Sequence, residues 1–550
     1  MSSSPSASSS SSSPFSRTKQ SNSGKRMGRK ENGSLYMMIS LALLGLVALL
    51  AGMQVDGGVP KVLGIGDLRL STTNHQQPDH RQRLLRRLDS LKASLAATTT
   101  TTAMSPSPSP AGSTVAPVMT SSRVYHATDY GADPTGKTDS TSALMKAIDD
   151  AFKAPNDRNL MPGIADLGGA ELHLDGGSYL VSSPIKLPAS KGGNFKIHSG
   201  SLIASDDFPN GRFLIELWAN PSSESAATED VVSLAVTSSS NYDYEYITMR
   251  DLLLNANFRC GGIAVVNSLR TTINNCYITH FQTTGIWVKD GHETYISTSY
   301  LGQHITAGND PDEKKFSGTG IKLIGNDNAV TDVVIFSAET GILITGQANV
   351  ITGVHCYNKA TGFGGTGIYL KLPGLTQTRI VNCYLDFNGI VSEDPVQLIV
   401  SNCFFLGGGN IVLKSVNGKM SGVNIVDNMF SGGGNGVDIV KLDESNGPFK
   451  DIDQVIVHRN NVDGMRLKTT VAKATVVGNG TVWTVDFSPV LLFQDRIEHV
   501  QYTLQTGSAF PNHALRNVSQ NKVVIESENA VNARVDVSVD QSVGSSISIS

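Results

Sequence analysis

A repeated alternation of apolar and polar residues runs through the middle of the chain. From about residue 249 to 440 the pattern Ile-x-Asn-Cys-x-Ile, then a turn, then Gly-Ile-x-Val recurs, and apolar positions alternate with polar ones inside each half. A period of two indicates β-strands, and a repeat of this length with occasional insertions indicates a solenoid. The pattern predicts an all-β parallel β-helix. The fourth repeat position, used as a marker, falls on Leu252, Cys276, Ser299, Val333, Val354, Cys383, Cys403 and Asn428.

The repeat also predicts which side chains face inward. In the segments GIWV, GIKL, GILI and GIYL the second and fourth residues point into the core, so the third and fifth positions face outward. An Asp or Asn precedes most markers, and its recurrence predicts a hydrogen-bonded turn ladder instead of a catalytic row. Cys383 and Cys403 could reach disulfide distance, but we expect them to pack as free thiols.

Different patterns mark the two ends of the repeat. Asp139 precedes STSALMKAIDDAF, whose apolar side chains, from Ala143 to Ala151, share one face, which predicts a capped amphipathic helix over the N-terminal end of the solenoid. After residue 470 the rhythm gives way to irregular Val-rich strands, which predict a C-terminal β cap over residues 471–550. The β-helix domain is therefore predicted for residues 123–470.

The first 122 residues carry no such pattern. Residues 1–34 are Ser-rich and then basic and are predicted to be a disordered cytosolic tail. Residues 35–53 are uncharged and long enough to cross a bilayer, so we predict a transmembrane signal anchor with a lumenal or extracellular remainder. A cleaved signal peptide is the alternative, and both interpretations export the rest of the chain. Residues 54–122 form the predicted stalk.

Composition and charge narrow the function classes. The chain is 39% apolar and 17% charged, as in globular proteins, and Gly accounts for 54 of its 550 residues, which favours turns and strands. Residues 123–550 hold 43 acidic and 31 basic side chains, so a nucleic-acid partner is not expected. Five cysteines without CxxC or Cys/His spacing predict neither a disulfide scaffold nor a metal site. No cofactor is expected.

Two segments resemble a known superfamily. The stretch from Val124 to Phe152, followed by Gly168 to Leu187, is similar to the N-terminal segment of the pectin-degrading β-helix superfamily. Gly353 to Asp394 and DGHETY at 290–295 resemble the divergent plant polygalacturonases of the Quartet class. The resemblance implies a right-handed β-helix, a pectin substrate and a place in the plant cell wall.

The catalytic motifs of ordinary polygalacturonases do not carry over. Where those enzymes have Asn-Thr-Asp, Gly-Asp-Asp and Gly-His-Gly before the Gly-Ile of successive coils, the corresponding segments here lack that set, and no Arg-Ile-Lys occurs. These segments read Gln282-Thr283-Thr284, Glu339-Thr340, Gly365-Thr366 and Asp386-Phe387-Asn388. The resemblance therefore carries over the fold and the substrate class, but not the catalytic aspartates.

Carboxylates before and after the Gly-Ile strands could supply acid–base catalysis. Hydrolysis by inversion needs an acid and a base about 6.5–9.5 Å apart, and two coils of about 4.8 Å approach that spacing. Asp386 as acid and Glu339 as base, two coils apart before Gly-Ile strands, are the first predicted pair. Glu393, Asp327 and Glu293 are the substitutes, and a solvated turn carboxylate is the alternative interpretation of each.

The outward positions of the Gly-Ile strands predict a sugar-binding groove. Aromatic rings stack on sugars, and ammonium groups pair with uronate carboxylates. An ordinary charged solvent face is the alternative. The predicted substrate-binding residues are Trp287, Lys289, Lys322, Tyr369, Lys371 and Lys414.

Three functions follow from these observations. The first is an exported glycoside hydrolase that cleaves α-1,4-galacturonan. The second is a calcium-dependent pectate lyase with acidic ligands, such as Asp290 with Glu293 or Glu393 with Asp394, and Arg379 as base. The third is a pectin-binding wall protein without activity. We expect a monomer.

Overall fold

The structure is a computed structural model that describes residues 123–155, 157–219, 242–303, 318–357, 365–434, 436–507 and 510–542. The predicted tail, anchor and stalk, residues 1–34, 35–53 and 54–122, lie outside these ranges. Within them, no helix is both long and apolar enough to cross a membrane.

The described part of the chain begins with two short strands and a helix that covers the first coil. Helix α1 (Thr141–Ala151) buries Leu144, Ala147 and Ile148 against the core. The Asp139 carboxylate accepts hydrogen bonds from the backbone N–H of Thr141 at 3.1 Å and from its hydroxyl at 2.6 Å. These bonds give a partner to a backbone N–H group at the start of the helix, which has none within the helix. The predicted capping helix is confirmed. Strands β1 (Val124–His126) and β2 (Thr135–Asp139) flank a 3₁₀ turn (Ala127–Tyr130) before it.

The first coils contain strands of unequal length, from two to thirteen residues. They are β3 (Asn159–Met161), β4 (Ile164–His173), β5 (Ser178–Val181), β6 (Ile185–Lys186), β7 (Gly192–Ala204), β8 (Phe213–Leu217), β9 (Tyr244–Asn255), β10 (Gly261–Val266) and β11 (Ser268–Leu269).

The following coils are regular, with three short strands each. They comprise β12 (Thr272–Asn274), β13 (Tyr277–Thr279), β14 (Thr284–Lys289), β15 (Tyr295–Ser297), β16 (Tyr300–Gly302), β17 (Thr319–Leu323), β18 (Ala329–Thr331), β19 (Val334–Phe336), β20 (Thr340–Ile344), β21 (Val350–Thr352), β22 (His355–Tyr357), β23 (Thr366–Leu370), β24 (Arg379–Val381), β25 (Tyr384–Asp386), β26 (Ile390–Glu393), β27 (Ile399–Ser401), β28 (Phe404–Leu406), β29 (Ile411–Lys414), β30 (Lys419–Val426), β31 (Met429–Ser431), β32 (Val440–Asp443), β33 (Asp451–His458) and β34 (Asn461–Asp463).

These strands pair in parallel with their equivalents in the neighbouring coils. The front sheet contains one strand per coil, in the order β6, β8, β10, β14, β17, β20, β23, β26, β29 and β32. A second sheet, called the bent sheet below, contains the other two strands of each coil. In it β12 pairs with β15, and β13 pairs with β16. The predicted right-handed parallel β-helix is confirmed.

The predicted register is also confirmed. The first marker, Leu252, lies inside β9, and each later marker directly precedes a strand of the bent sheet. Every marker lies beside the markers of the adjacent coils, as Cys383 lies beside Cys403. The residue before each marker occupies the left-handed region, with φ of 52° at Asn275 and 55° at Asp251. The Asn275 amide donates to the Asp251 carboxylate at 2.7 Å, as a turn ladder requires. Cys383 and Cys403 are buried free thiols.

The glycine of each Gly-Ile pair allows the coils to stack closely. A Cβ added to Gly320 would lie 2.7 Å from the carbonyl oxygen of Gly341 and 2.7 Å from Ile335 Cγ2. Real Cβ atoms do not approach so closely, so only glycine fits at this position. The next residue, Ile321, is fully buried in the core row.

An antiparallel sheet follows the solenoid. Its strands have a core of their own, which contains Trp483, Val523, Ile525 and Val535. The predicted C-terminal β cap is confirmed as a structure of strands. They are β35 (Val471–Asp486), β36 (His499–Thr506), β37 (His513–Ser519) and β38 (Lys522–Asp540).

Candidate functional site

The outer face of the front sheet carries most of the predicted substrate-binding side chains. Ile and Leu side chains fill its inner face, which leaves two outward positions per strand. One outward row contains Trp287, Lys322 and Tyr369. The second row contains Glu393, Lys414 and Asp443, with Lys371 following Leu370 in the neighbouring strand. The prediction that these positions face outward is confirmed by this register.

Three of these side chains form one hydrogen-bonded cluster. The Tyr369 hydroxyl donates to Glu393 Oε1 at 2.7 Å, and the Lys414 ammonium donates to the same oxygen at 3.0 Å. Glu393 is only 6% exposed, whereas Tyr369 and Lys414 are half-buried and reach the surface. The hydrogen bond from Lys414 to Glu393 raises the pKa of Lys414. Burial, followed by the bond to Glu393, raises the pKa of Tyr369. The cluster thus presents an ammonium group and a phenol in fixed positions.

The Trp287 side chain is buried and not exposed as predicted. Its indole is 3% exposed because Phe213 stacks on it at 5.7 Å between ring centroids and Trp218 meets it edge-on at 5.5 Å. The Lys289 ammonium lies 5.7 Å from the centre of the Trp287 ring. The prediction that Trp287 offers a free face to a sugar is therefore wrong, because an apolar cluster on the outer face already covers it.

Glu339 and Asp386 do not occupy equivalent positions. Asp386 ends β25 and shares a row with Phe336, while Ile390 shares a row with Ile342. Ile342 lies six positions after Phe336 but Ile390 only four positions after Asp386, so the turn before β26 is two residues shorter. Asp386 is 1% exposed at the end of a strand of the bent sheet, whereas Glu339 is exposed in a turn. Both still precede front-sheet strands two coils apart.

Glu293 and Asp327 belong to a bend that recurs along the solenoid. They are adjacent in the register that pairs His292 with Asn326, and both have left-handed φ angles, 55° and 57°. Arg270 Nε lies 2.9 Å from Glu293, and His292 Nδ1 lies 3.0 Å from Asp327. The same bend position has positive φ in every coil from Asn194 to Gln454, whatever the residue type. Its members are Asn194, Tyr246, Arg270, Glu293, Asp327, Ala348, Gln377, Gln397, Gly422 and Gln454.

The candidate carboxylates lie at opposite ends of the front-sheet strands and so form two groups. Glu339 and Asp386 precede the front sheet, whereas Glu393 ends β26, and Glu293 and Asp327 follow β14 and β17. Glu339 shares a row with Phe387, six residues before Glu393, which corresponds to about 20 Å of extended chain. The structure therefore brings Glu393 close to Tyr369 and Lys414, but not close to Glu339.

Comparison with known proteins gives the family. The chain is 55% identical to "Polygalacturonase QRT3" of Arabidopsis thaliana over 493 residues, which are 88% of this chain and 98% of the relative. The chain belongs to the Quartet class of plant polygalacturonases. Residues 124–364 of this Quartet-class polygalacturonase also match the family model "Rhamnogalacturonase A/epimerase, pectate lyase-like".

Solved structures similar to this Quartet-class polygalacturonase are distant in sequence. ORF18 of Geobacillus virus E2 is 11% identical, with a TM-score of 0.48, and the match covers 87% of this chain and 84% of that one. The endo-xylogalacturonan hydrolase of Aspergillus tubingensis is also 11% identical, with a TM-score of 0.38 over 63% of this chain and 95% of that one.

Two features of this Quartet-class polygalacturonase escaped sequence reasoning. The link between Tyr369, Glu393 and Lys414 was missed, although their outward positions on successive strands could have indicated it. A cluster of His126, His173 and Asp175 was missed because the first of these residues is far from the others in the chain. The only local signal was the His-x-Asp spacing at 173–175.

Proposed function

We propose that the protein is a glycoside hydrolase that cleaves the α-1,4-galacturonan of pectin and binds it along the outer face of the front sheet. The family membership supports the substrate class, since the most similar relative described above is named a polygalacturonase. The observation that carries the proposal is the hydrogen-bonded cluster of Tyr369, Glu393 and Lys414, which lies among further outward lysines.

The chemistry of this face suits a polyuronate. Lys414, Lys371 and Lys322 provide ammonium groups for uronate carboxylates, and the Tyr369 ring provides an aromatic surface for a sugar. Lys414 is charged at physiological pH, as lysines ordinarily are, and the hydrogen bond to Glu393 raises its pKa further. Glu393 in this proposal is a positioning residue, since its carboxylate is engaged by the two side chains that would contact the substrate. Lys289, beside the buried indole of Trp287, would extend the basic face.

Asp386 and Glu339 remain the proposed catalytic pair. Two coils separate them by about 9.6 Å along the axis of the solenoid, just beyond the range of about 6.5–9.5 Å for inverting glycosidases, so the two side chains must lean toward each other. Their environments differ, because Asp386 is buried and Glu339 is exposed. We assign Asp386 to protonation of the leaving oxygen and Glu339, which water reaches, to activation of the attacking water. Glu293 and Asp327 are less suitable, since the recurring bend accounts for their conformation.

The contacts of the acidic residues favour hydrolysis over calcium-dependent elimination. Asp394 accepts the backbone N–H groups of Val416 and Lys419 at 3.0 and 3.3 Å, so its carboxylate closes a turn. Glu393 pairs with Lys414, and Glu293 lies 2.9 Å from Arg270. Calcium sites in proteins use carboxylate oxygens that are available to the ion. Three of the four candidate calcium ligands, Glu293, Glu393 and Asp394, are therefore already paired with cations or backbone N–H groups.

The test is incubation of the purified protein with polygalacturonate, with and without a chelator, while reducing ends and near-ultraviolet absorbance are followed. We expect reducing ends without absorbance, and no effect of the chelator. Asp386→Asn and Glu339→Gln should each lower kcat by about 10²–10⁴. Glu293→Gln, a substitution in the recurring bend, is the matched control and should retain activity.

Three results would contradict the proposal. Chelator-sensitive absorbance would identify a lyase, and binding without turnover would identify a wall-binding protein. Full activity in both Asp386→Asn and Glu339→Gln would place the acid and base elsewhere. The role of Glu393 has a separate readout: Glu393→Gln should raise KM while it changes kcat little, because it acts through the binding residues.

We propose that this domain works in the secretory pathway or the cell wall, whether residues 35–53 are kept as an anchor or cleaved. Two Asn-x-Ser/Thr glycosylation sequons lie in the C-terminal sheet, on the side predicted to be exported. Their acceptor asparagines, Asn479 and Asn517, are exposed. Exposure is what a glycan at either position requires.

A further inference from the structure

Two histidines and an aspartate converge on the bent sheet at the N-terminal end of the solenoid. His126 ends β1 and His173 ends β4, and the two are directly paired in the parallel register. Asp175 follows two residues later, at a turn where its φ is 53°. Residues that are 47 positions apart in the chain thus become neighbours. None of them lies on the front sheet, so the proposed hydrolysis does not use them.

The ligand atoms of the three side chains are close together. His126 Nδ1 lies 2.6 Å from Asp175 Oδ1, and His173 Nδ1 lies 2.7 Å from the same oxygen. One donor atom from each side chain lies within 4.8 Å of the other two. The side chains are 45%, 30% and 25% exposed, in the order His126, His173 and Asp175, so an ion from solvent can reach them.

The Nδ1 atom of His173 cannot make both of its short contacts with Asp175 as hydrogen bonds at the same time. The backbone N–H of Asp175 points to His173 Nδ1 at 3.1 Å, which requires a lone pair on that nitrogen. A nitrogen with a lone pair cannot also donate to Asp175 Oδ1 at 2.7 Å. Nδ1 therefore either donates to the carboxylate or accepts from the backbone N–H, and the second form leaves its lone pair and the Asp175 carboxylate side by side as ligand atoms. A small adjustment of these partly exposed side chains would let one cation bind both.

Neighbouring side chains hold the site in place. The His173 ring packs edge-on against the His198 ring, with 4.7 Å between centroids. His198 Nε2 lies 2.9 Å from Glu171 Oε2, and the Lys196 ammonium donates to Glu171 Oε1 at 2.6 Å. Metal-binding histidines in proteins are usually oriented by such surrounding interactions.

We propose that His126, His173 and Asp175 bind one divalent transition-metal ion, with Zn²⁺ the best match. Two imidazole nitrogens and one carboxylate oxygen suit zinc and leave a fourth position for water, whereas calcium prefers oxygen ligands alone. Such an ion would join the first strand of the domain to β4, and so would stabilise the N-terminal end of the solenoid. Composition and cysteine spacing predicted no metal, because the ligands are assembled by the fold.

The experiment measures Zn²⁺ binding to the full-length, chelator-treated protein by calorimetry, and Co²⁺ binding by visible absorption. We expect one equivalent that is lost or weakened at least about 10-fold in His126→Ala, His173→Ala and Asp175→Asn. The matched control is His292→Ala, since His292 lies 3.0 Å from the Asp327 carboxylate but belongs to no group of three ligands in the described part of the chain.

Thermal denaturation provides a second test that does not depend on the binding titration. Zn²⁺ should raise the Tm of the wild type and of His292→Ala, but not that of His126→Ala, because only ions that bind the folded state stabilise it. His126 is well exposed, so this variant should fold as the wild type does. The proposal is overturned if the wild type binds no equivalent of Zn²⁺, or if binding and the Tm shift survive in His126→Ala and Asp175→Asn.

Discussion

Replacing Lys414 by methionine tests the ion pair at the centre of the proposed groove. The substitution keeps the length of the side chain but removes the ammonium that lies 3.0 Å from Glu393. Breaking a fully buried ion pair costs about 3–5 kcal/mol. Here the Lys414 side chain is 28% exposed, and Glu393 keeps the hydrogen bond from Tyr369, so we expect about 2 kcal/mol.

That free energy corresponds to a small but measurable shift in Tm. Roughly 400 ordered residues at about 2.1 cal/mol/K each give an unfolding entropy of about 0.8 kcal/mol/K, so Lys414→Met should lower Tm by roughly 2 °C. Scanning calorimetry at a fixed scan rate measures this. Lys441→Met, which removes an exposed lysine from the same face, should change stability by less than about 0.5 kcal/mol.

A second substitution distinguishes the ion pair from general packing. Glu393→Gln in the Lys414→Met background leaves a neutral amide instead of an uncompensated carboxylate, so the double variant should be more stable than the sum of the single effects predicts. The reasoning is refuted if Lys414→Met costs no more than Lys441→Met, or if the two substitutions are additive.

Four further predictions concern binding, packing, acid stability and export. Lys322→Glu should weaken oligogalacturonate binding in a fluorescence titration without lowering Tm, and unchanged affinity would move the substrate to another face. Gly320→Ala should destabilise the protein by at least about 1–3 kcal/mol through its contacts with the next coil, whereas Gly478→Ala, which meets no atom within 4 Å, should be nearly neutral in the same melt. Hydrogen bonds lower the pKa of Asp133, and the largest contributions come from the side chain and the backbone of the neighbouring threonine. The ionised carboxylate therefore stabilises the folded state at neutral pH, and this contribution is lost as the pH falls below about 4. Asp133→Asn should therefore be less stable than the wild type at pH 7 and approach it at pH 3 in matched melts. An endoglycosidase should shift the mobility of the protein from plant membranes or walls, and Asn479→Gln should reduce that shift; an unshifted protein would argue against export.

Part of the candidate site could be predicted from the sequence, because strand alternation alone decides which residues of a Gly-Ile strand face outward. Lys322, Tyr369 and Lys414 lie where the pattern predicts them. The pattern places Tyr369, Glu393 and Lys414 at outward positions of successive strands, but it does not specify that their side chains share hydrogen bonds, since these depend on side-chain conformations. Nor could it predict that Phe213 and Trp218 bury Trp287, because both belong to earlier parts of the chain.

The sequence by itself determined the solenoid, its inward apolar rows and the register of its turns. In a solenoid each coil contacts equivalent positions of the next, so a local repeat specifies the long-range pairing as well. The tertiary structure alone decided the features that break the repeat. The turn before β26 is shorter by two residues than the turn before β20, so Asp386 ends a strand of the bent sheet whereas Glu339 lies in an exposed turn, and the first coils bring His126 beside His173. Both arise from turn lengths and from pairing between distant segments, which no local period encodes.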